Sequence, residues 1–280
     1  MTSNNFLITI VGPTAIGKTA LSIQLAKHFK AEIISCDSRQ FYKEMTLGTA
    51  VPEADELAAA KHHFIQNRSI FDDYNVGEFE RDVLSKLDEL FKENPIQIMV
   101  GGSGLYVDAV LKGLDYFPVV PSNIRKELTE KLEKEGLEYL QEKLKELDLE
   151  TYNTITIDNP KRVMRALEVC IGSGIPYSTF KNKPKAPRNF TAIKVGLNAD
   201  REIIYARINQ RVDIMIENGL LEEAKELYQH KNLNALQTVG YRELFSYFDE
   251  DFTKEFAISE IKKNTRRFAK RQLTWFKKDE

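Results

Sequence analysis

The fold of this chain is decided by one stretch near its start, FLITIVGPTAIGKT, which spans residues 6–19. Residues 6–11 form a short apolar run rich in β-branched side chains, as in a buried strand. Two glycines then frame a loop, and Leu21, Leu25 and Phe29 follow at helical spacing. The stretch therefore predicts a strand, a loop and a helix in succession.

The loop matches the P-loop motif G-x-x-x-x-G-K-[ST], which binds phosphate between a strand and a helix. Its glycines let successive backbone N–H groups point at one anion, and the start of the helix adds positive potential. Lys18 would supply a full positive charge and Thr19 a ligand for Mg²⁺. A glycine turn without a ligand would leave this lysine without a purpose. We expect phosphate to bind Gly12, Pro13, Thr14, Ala15, Ile16, Gly17, Lys18 and Thr19.

Strand and helix patterns alternate along much of the chain. Apolar runs predict further strands at residues 31–36, 96–100 and 192–197, and a helical stripe from Val76 to Leu90 separates the second strand from the third. Such alternation is typical of a parallel α/β sheet. Together with the motif it predicts a P-loop NTPase-like parallel sheet flanked by helices.

The alternation is interrupted by one long segment with helical patterns only. Residues 119–188 follow a proline-containing stretch, show no strand signal and end in a polar, proline-rich passage at residues 181–187. We predict a core domain made of residues 1–118 and 189–280, with residues 119–188 as a helical insertion domain.

The composition limits the classes of function. Cys36 and Cys170 are too few for a disulfide scaffold and are not spaced as zinc ligands. No apolar run is long enough for a signal-peptide core or a membrane span. These features predict a cytoplasmic protein without a membrane partner.

The net charge is −2, which by itself predicts no polyanion partner. The exception is a basic run at residues 261–278, which contains no acidic residue and makes a phosphate-rich partner possible. Within it, Ile261, Phe268 and Trp275 recur at seven-residue steps and predict a core stripe rather than a base-stacking platform. The basic residues are Lys262, Lys263, Arg266, Arg267, Lys270, Arg271, Lys277 and Lys278.

An acidic residue, Asp37, directly follows the second predicted strand. It would lie at the carboxyl edge of the sheet, where ligands of open α/β proteins bind. Three interpretations remain open at this point, because the carboxylate could ligate a metal, act as a base or cap a helix. The strand at residues 96–100 ends in Gly-Gly-Ser-Gly rather than in the acidic residue that an ATPase uses for its metal.

Seven separated motifs are similar to those of the tRNA dimethylallyltransferase family. They are GPTAIGKT (12–19), DSRQFY (37–42), GTAVP (48–52), GGSGLY (101–106), NPKRVMRALEV (159–169), TVGYRE (238–243) and AKRQLTWF (269–276). The resemblance implies transfer of a prenyl group from dimethylallyl diphosphate to N6 of the adenosine immediately 3′ of the tRNA anticodon. It implies Mg²⁺ at Thr19, Lys18 and Thr19 as catalytic groups, and Asp37 as the catalytic proton acceptor.

The same resemblance implies contacts with tRNA. Around the flipped adenine the matching positions are Asp37, Ser38, Arg39, Gln40 and Ser103, and the insertion is expected to grip the anticodon stem-loop. A solvated basic face is the alternative for the insertion's cations. The further positions expected to bind tRNA are Arg125, Lys161, Arg162, Arg165, Tyr241 and Arg242.

Arg207 and Arg211 are four residues apart and would repel each other on one helical face unless an anion lay between them. We expect them to contact diphosphate or tRNA. The alternative is ion pairing with Glu202 or Asp213.

Two other functions compete with prenyl transfer. A P-loop kinase for a small molecule or nucleotide would need ATP and a lid with arginines, and the insertion could serve as that lid. A non-catalytic RNA-binding regulator would explain the basic run but not the phosphate motif. We expect the chain to act as a monomer.

Overall fold

Five parallel strands form one sheet in the computed structural model, which describes residues 4–278. Their order across the sheet is β3-β2-β4-β1-β5, and every neighbouring pair is parallel. The predicted class, a parallel α/β sheet flanked by helices, is therefore confirmed. The strands are β1 (Phe6–Val11), β2 (Ile33–Ser35), β3 (His62–His63), β4 (Ile96–Gly101) and β5 (Thr191–Gly196).

The remaining regular structure is helical. No helix among the described residues is both long and apolar enough to cross a membrane. The helices are α1 (Lys18–Phe29), α2 (Ala54–Ala59), α3 (Val76–Leu90), α4 (Gly104–Lys112), α5 (Ser122–Leu147), α6 (Leu149–Thr154), α7 (Pro160–Ser173), α8 (Arg201–Glu217), α9 (Leu220–Leu227), α10 (Tyr241–Phe248) and α11 (Lys254–Phe276), with 3₁₀ turns at Tyr177–Phe180, Tyr228–His230 and Asn234–Leu236.

Both faces of the sheet are buried at strands β1, β2 and β4, as is usual for parallel strands covered by helices, whereas the edge strand β5 is partly exposed. Leu7 and Met99 share one core cluster with the apolar side of α3. Ile10 and Ile98 share another with α1. The predicted stripe of Leu21, Leu25 and Phe29 on α1 is only partly buried, and the fully buried side of that helix consists of Ser22, Ile23 and Ala26.

The described residues divide into two compact units. The first contains the sheet and extends up to Lys112 and onward from Pro187, and the second is Gly113–Ala186. The sequence suggested boundaries at residues 119 and 188. Residues 1–3 and 279–280, which the predicted core domain includes, lie outside the described residues.

Side-chain contacts explain where the second unit begins and ends. The Phe117 ring stacks on Tyr177, with 4.6 Å between ring centroids, and Asp115 forms an ion pair with Lys185. Residues 113–118 therefore pack with the helical unit. Arg188 instead forms an ion pair with Glu80 and donates to the carbonyl of Ala109, both in the first unit.

The second unit is built on its own apolar core. Leu140 and Leu144 of α5 pack there with Val163 and Leu167 of α7, all without exposed surface. This core gives the unit a fixed arrangement of the α7 side chains that project outward.

Candidate active site

A cavity of about 510 Å³ lies within the first unit, beyond the carboxyl ends of the strands. The loops that follow β1, β2 and β4 supply Thr14, Asp37 and Ser103 to its wall. Parallel strands bring their carboxyl ends to one edge, so loops far apart in sequence meet there. Helix α8 adds Arg211 and the apolar side chain of Val212.

The loop from Gly12 to Thr19 has the shape of an anion-binding nest. Gly17 has a φ of 103°, a left-handed conformation that other residues rarely adopt, and it directly precedes α1. Among the described residues, nothing accepts a hydrogen bond from the backbone N–H groups of residues 15–19. These donors at a helix N-terminus are suited to binding phosphate oxygens.

Lys18 lies folded against this loop. Its Nζ donates to the carbonyl oxygens of Gly12, at 3.0 Å, and Pro13, at 2.8 Å. Burial lowers the Lys18 pKa to about 8, and the nearby Asp37 carboxylate only partly offsets that effect. The ammonium is thus held beside the nest by neutral carbonyls, which a phosphate could replace as its partners.

Arg207 and Arg211 also approach this loop. Nη1 of Arg211 lies 3.4 Å from the Thr14 hydroxyl, and Nη1 of Arg207 lies 3.5 Å from the Ile16 carbonyl. The alternative pairing with Glu202 or Asp213 is not found in the described part of the chain, where Asp213 pairs with Lys262 at 2.5 Å. The two guanidinium groups are therefore available to an anion.

Asp37 follows β2 and faces the same cavity. Its Oδ1 accepts the Arg39 backbone N–H at 3.1 Å, within a turn over residues 38–41. The interpretation as a helix cap is therefore wrong, because no α-helix begins there. Burial raises the Asp37 pKa, although the positive charges of Lys18 and Arg39 act against the shift. A carboxylate with a raised pKa is a better proton acceptor.

The neighbours of Asp37 hold its loop in place. Ser103 Oγ accepts the Ser38 backbone N–H at 3.1 Å, which joins the loop after β4 to the loop after β2. Arg39 donates to the carbonyls of Asn234 and Ala235 at 2.9 and 3.0 Å. The Gln40 amide donates to the carbonyls of Thr49 and Ala50. The polar groups of Arg39 and Gln40 thus have backbone partners.

Of the two predicted residues in the TVGYRE motif, only one has an exposed side chain. Tyr241 is 0% exposed, and its hydroxyl donates to Glu223 at 2.6 Å. A direct tRNA contact by this side chain is contradicted, because the tyrosine fills the core beside α9. Arg242 lines the cavity and is exposed to solvent.

The predicted tRNA-binding residues of the second unit fall into two groups. Arg125 and Arg165 both contact the buried carboxylate of Glu168, at 2.7 and 3.3 Å. Lys161 and Arg162, in the first turn of α7, are exposed. Lys161 and Arg162 form no ion pair with any described residue, so both charges face outward unpaired.

Sequence reasoning missed Gln272, which is 5% exposed and lines the cavity. Its Oε1 accepts the Thr14 backbone N–H at 2.9 Å, and its Nε2 donates to the Gly102 carbonyl at 3.0 Å. The available signal was its position three residues after Ala269, on the buried side of α11.

The predicted core stripe of α11 is wrong for two of its three residues. Phe268 is 37% exposed and Trp275 is half-buried, and both line the cavity rather than fill a core. Only Ile261 is fully buried, although it also borders the cavity. The indole N–H of Trp275 donates to Asp108 at 2.9 Å, which fixes the ring at the cavity wall.

The residues at the loop fit the predicted Mg²⁺. The Thr19 hydroxyl has no hydrogen-bond partner among the described residues and is free to ligate. The same residues contain no group of three or more His, Cys, Asp or Glu side chains suited to a metal. Mg²⁺ needs only one or two protein ligands when phosphates and water supply the others.

Comparison with known proteins gives consistent results. The family model described as IPP transferase matches residues 40–279. The tRNA dimethylallyltransferase of Flavobacterium johnsoniae is 66% identical over 98% of this chain and 91% of its own, and that of Flavobacterium psychrophilum is 65% identical over 99% and 92%.

Solved structures lead to the same family. The tRNA isopentenylpyrophosphate transferase of Bacillus halodurans has a TM-score of 0.71 at 36% identity, over 98% of this chain and 87% of that one. A eukaryotic dimethylallyltransferase, described as acting on tRNA, has a TM-score of 0.81 at 27% identity, over 97% of this chain and 69% of that one.

Proposed function

This chain belongs to the IPP transferase family of tRNA dimethylallyltransferases, and from that premise we propose the reaction it performs. It transfers the dimethylallyl group of dimethylallyl diphosphate to N6 of the adenosine immediately 3′ of the tRNA anticodon, and diphosphate is released. The observation that carries the proposal is one cavity bordered by an open N–H nest and a half-buried carboxylate, Asp37.

The Gly12–Thr19 loop binds the diphosphate in this proposal. Negative charge accumulates on the leaving diphosphate as the allylic carbon–oxygen bond breaks, and the free N–H groups of residues 15–19 stabilise that charge. Lys18 exchanges its carbonyl partners for phosphate oxygens, and Arg207 and Arg211 add two further positive charges. The open approach of all three side chains to the loop supports these roles.

Mg²⁺ belongs to the same proposal, with the Thr19 hydroxyl as its protein ligand. When bound, the ion would neutralise part of the diphosphate charge. The unpartnered hydroxyl supports this assignment.

Asp37 takes the proton from the adenine amine. That amine is a weak nucleophile, because its lone pair is delocalised into the ring, so a base that accepts its proton favours attack on the allylic carbon. The raised pKa of Asp37 and its place in the cavity support this role. Apolar side chains in the wall, those of Ile208, Val212 and Met215, provide an environment suited to the five-carbon group.

The adenine must leave its stack to reach the cavity. Ser38, Arg39 and Ser103 line the cavity beside Asp37, and Gln40 follows Arg39 in the same loop. These four residues are proposed to shape the base site. Arg242, at the cavity surface, is proposed to contact tRNA.

The exposed cations of the helical unit, Lys161 and Arg162, are proposed to contact the anticodon stem-loop. Arg125 and Arg165 extend that surface while they neutralise Glu168. We also propose a cytoplasmic location and action as a monomer.

A kinase is not favoured, because both the family model and the close relatives are prenyl transferases.

The test uses dimethylallyl diphosphate labelled in the prenyl group together with tRNA that lacks the modification. Label is expected in the tRNA, at N6 of the single adenosine 3′ of the anticodon. A parallel reaction contains γ-labelled ATP and no prenyl donor. Label transferred from ATP, without transfer from the prenyl donor, would contradict the proposal.

A further inference from the structure

Gln272 connects two loops of the site that are far apart in sequence. Its side-chain amide accepts from Thr14, in the loop after β1, and donates to Gly102, in the loop after β4. Gln272 is 5% exposed, so water has little access to its hydrogen bond with Gly102 and only partial access to the one with Thr14. Thr14 N–H is thus occupied, while the N–H groups of residues 15–19 remain open to a ligand.

The connection continues to Asp37. Gly102 is followed by Ser103, whose hydroxyl accepts the Ser38 backbone N–H at 3.1 Å. Ser38 directly follows Asp37. A short series of hydrogen bonds therefore runs from the diphosphate loop through Gln272 to the loop of the proposed base.

We propose that Gln272 is a positioning residue that sets the separation between the diphosphate loop and the Asp37 loop, and so aligns the prenyl donor with the adenine amine. The inference rests on the proposed function. Gln272 itself touches neither substrate in this assignment, because its Oε1 and its Nε2 are already bonded to backbone. Its effect falls on the rate of transfer, since a misplacement of about 1 Å can cost roughly 100-fold in rate.

The site accepts few alternatives to glutamine. One planar group must present an acceptor to Thr14 and a donor to Gly102, which a primary amide does and a carboxylate does not. A Cβ on Gly102 would lie 2.1 Å from Gln272 Nε2, so glycine is needed there for the amide to approach. Gly102→Ala should displace the amide and reduce the transfer rate as Gln272→Met does.

The main experiment is Gln272→Met, which keeps the side-chain volume and removes both hydrogen bonds. Single-turnover prenyl transfer is expected to fall about 10- to 100-fold, while the affinities for donor and tRNA stay within about threefold of wild type. Gln97→Met is the matched control. Gln97 is also buried, and its amide also bonds to backbone groups at Glu32, Leu90 and Asn94, but it lies near the opposite end of β4.

A rate near wild type for Gln272→Met would overturn the inference. So would an equal loss in Gln97→Met, which would indicate general destabilisation, or a loss confined to donor affinity. Absence of transfer by the wild-type chain would instead contradict the proposed function, so the two failures are distinguishable.

Gln272→Glu provides a second test that survives poor folding of the methionine variant. A protonated carboxyl group can present one acceptor to Thr14 and one donor to Gly102, as the amide does, whereas the carboxylate lacks the donor. The rate relative to wild type is therefore expected to rise as pH falls from about 8 to about 5. A ratio independent of pH would overturn the positioning role.

Discussion

The hydroxyl of Tyr241 lies 2.6 Å from Oε1 of Glu223 and donates a hydrogen bond to it. The same carboxylate accepts the backbone N–H groups of Thr46, Leu47 and Gly48 at 2.8 to 3.1 Å. This carboxylate therefore holds the turn that carries Gly48 into the cavity wall. Tyr241 acts on the site from within the core, by fixing Glu223.

Tyr241→Phe is expected to lower the free energy of unfolding by about 1.5–3 kcal/mol, because it removes one hydrogen bond to a charged acceptor. Affinity for tRNA should remain within about twofold of wild type, since the side chain is fully buried. Urea unfolding and tRNA titration measure the two effects. Arg242→Ala is the neighbouring comparison and should weaken tRNA binding without affecting stability. If Tyr241→Phe is stable but binds tRNA more weakly, the prediction that this side chain contacts tRNA would be supported again.

Donor binding should depend on pH through Lys18. Its pKa is about 8 in the free protein, below the ordinary 10.5, so the amine is largely neutral above pH 8. Diphosphate favours the charged form, and donor affinity should fall by up to about tenfold per pH unit above that value, with uptake of a proton on binding. Calorimetry in buffers of different ionisation enthalpy measures that uptake.

Lys18→Met provides the comparison for this titration. It should bind the donor weakly, show no such pH dependence and transfer roughly 10² to 10³ times more slowly. Proton uptake that persists in Lys18→Met would assign the titration to another group.

The local pattern predicted much of the fold. Residues 6–11 are apolar and β-branched, and β1 occupies the same range. The glycine spacing of residues 12–17 identified the loop, because its conformation depends on local backbone geometry. The two-residue strand β3 escaped prediction, because His62 and His63 carry no apolar pattern and pair only through their position at the edge of the sheet.

Side chains that act through tertiary contacts were not predictable in this way. A glutamate on α9 and a glutamine on α11 are ordinary solvent-facing residue types, so the roles of Glu223 and Gln272 emerge only when distant loops meet them. Phe268 and Trp275 follow the spacing of a core stripe, but the cavity lies where that core would be. Apolar residues at helical spacing show that they share one face of a helix, but not whether that face packs against a neighbouring element or lines a cavity.

Binding of tRNA should depend on the unpaired cations of α11 and the residue after it. Arg267, Lys270 and Lys277 are exposed and have no ion pair among the described residues, whereas Lys262 pairs with Asp213 and Lys263 with Glu260. Replacing Arg267, Lys270 and Lys277 with alanine should lower the log–log salt slope of tRNA affinity by about 0.7–0.9 for each lost contact.

The double variant of the paired cations, Lys262→Ala with Lys263→Ala, serves as its control and should change the slope much less. Donor affinity should not change in either protein. Equal slopes for the triple variant and wild type would show that this surface does not contact tRNA.

Asp37→Asn separates proton acceptance from metal ligation. Asparagine keeps the shape and can still accept the Arg39 N–H, but it cannot take a proton from the adenine amine. Single-turnover transfer is expected to fall by roughly 10² to 10⁴, with donor and tRNA affinities near wild type. Because burial raises the Asp37 pKa, this carboxylate takes up a proton at a higher pH than an ordinary aspartate does. As the pH is lowered, the wild-type rate should therefore begin to fall at that higher pH, and the variant should not show this fall.

A Mg²⁺ titration of the same variant decides between the two roles of Asp37. Amide oxygen is a poorer Mg²⁺ ligand than carboxylate oxygen, so a metal-binding defect would be relieved by added metal, whereas a missing proton acceptor would not. We expect no recovery at saturating Mg²⁺. Recovery of most of the rate would make Asp37 a ligand rather than a base, and an unimpaired rate without added metal would remove it from the reaction.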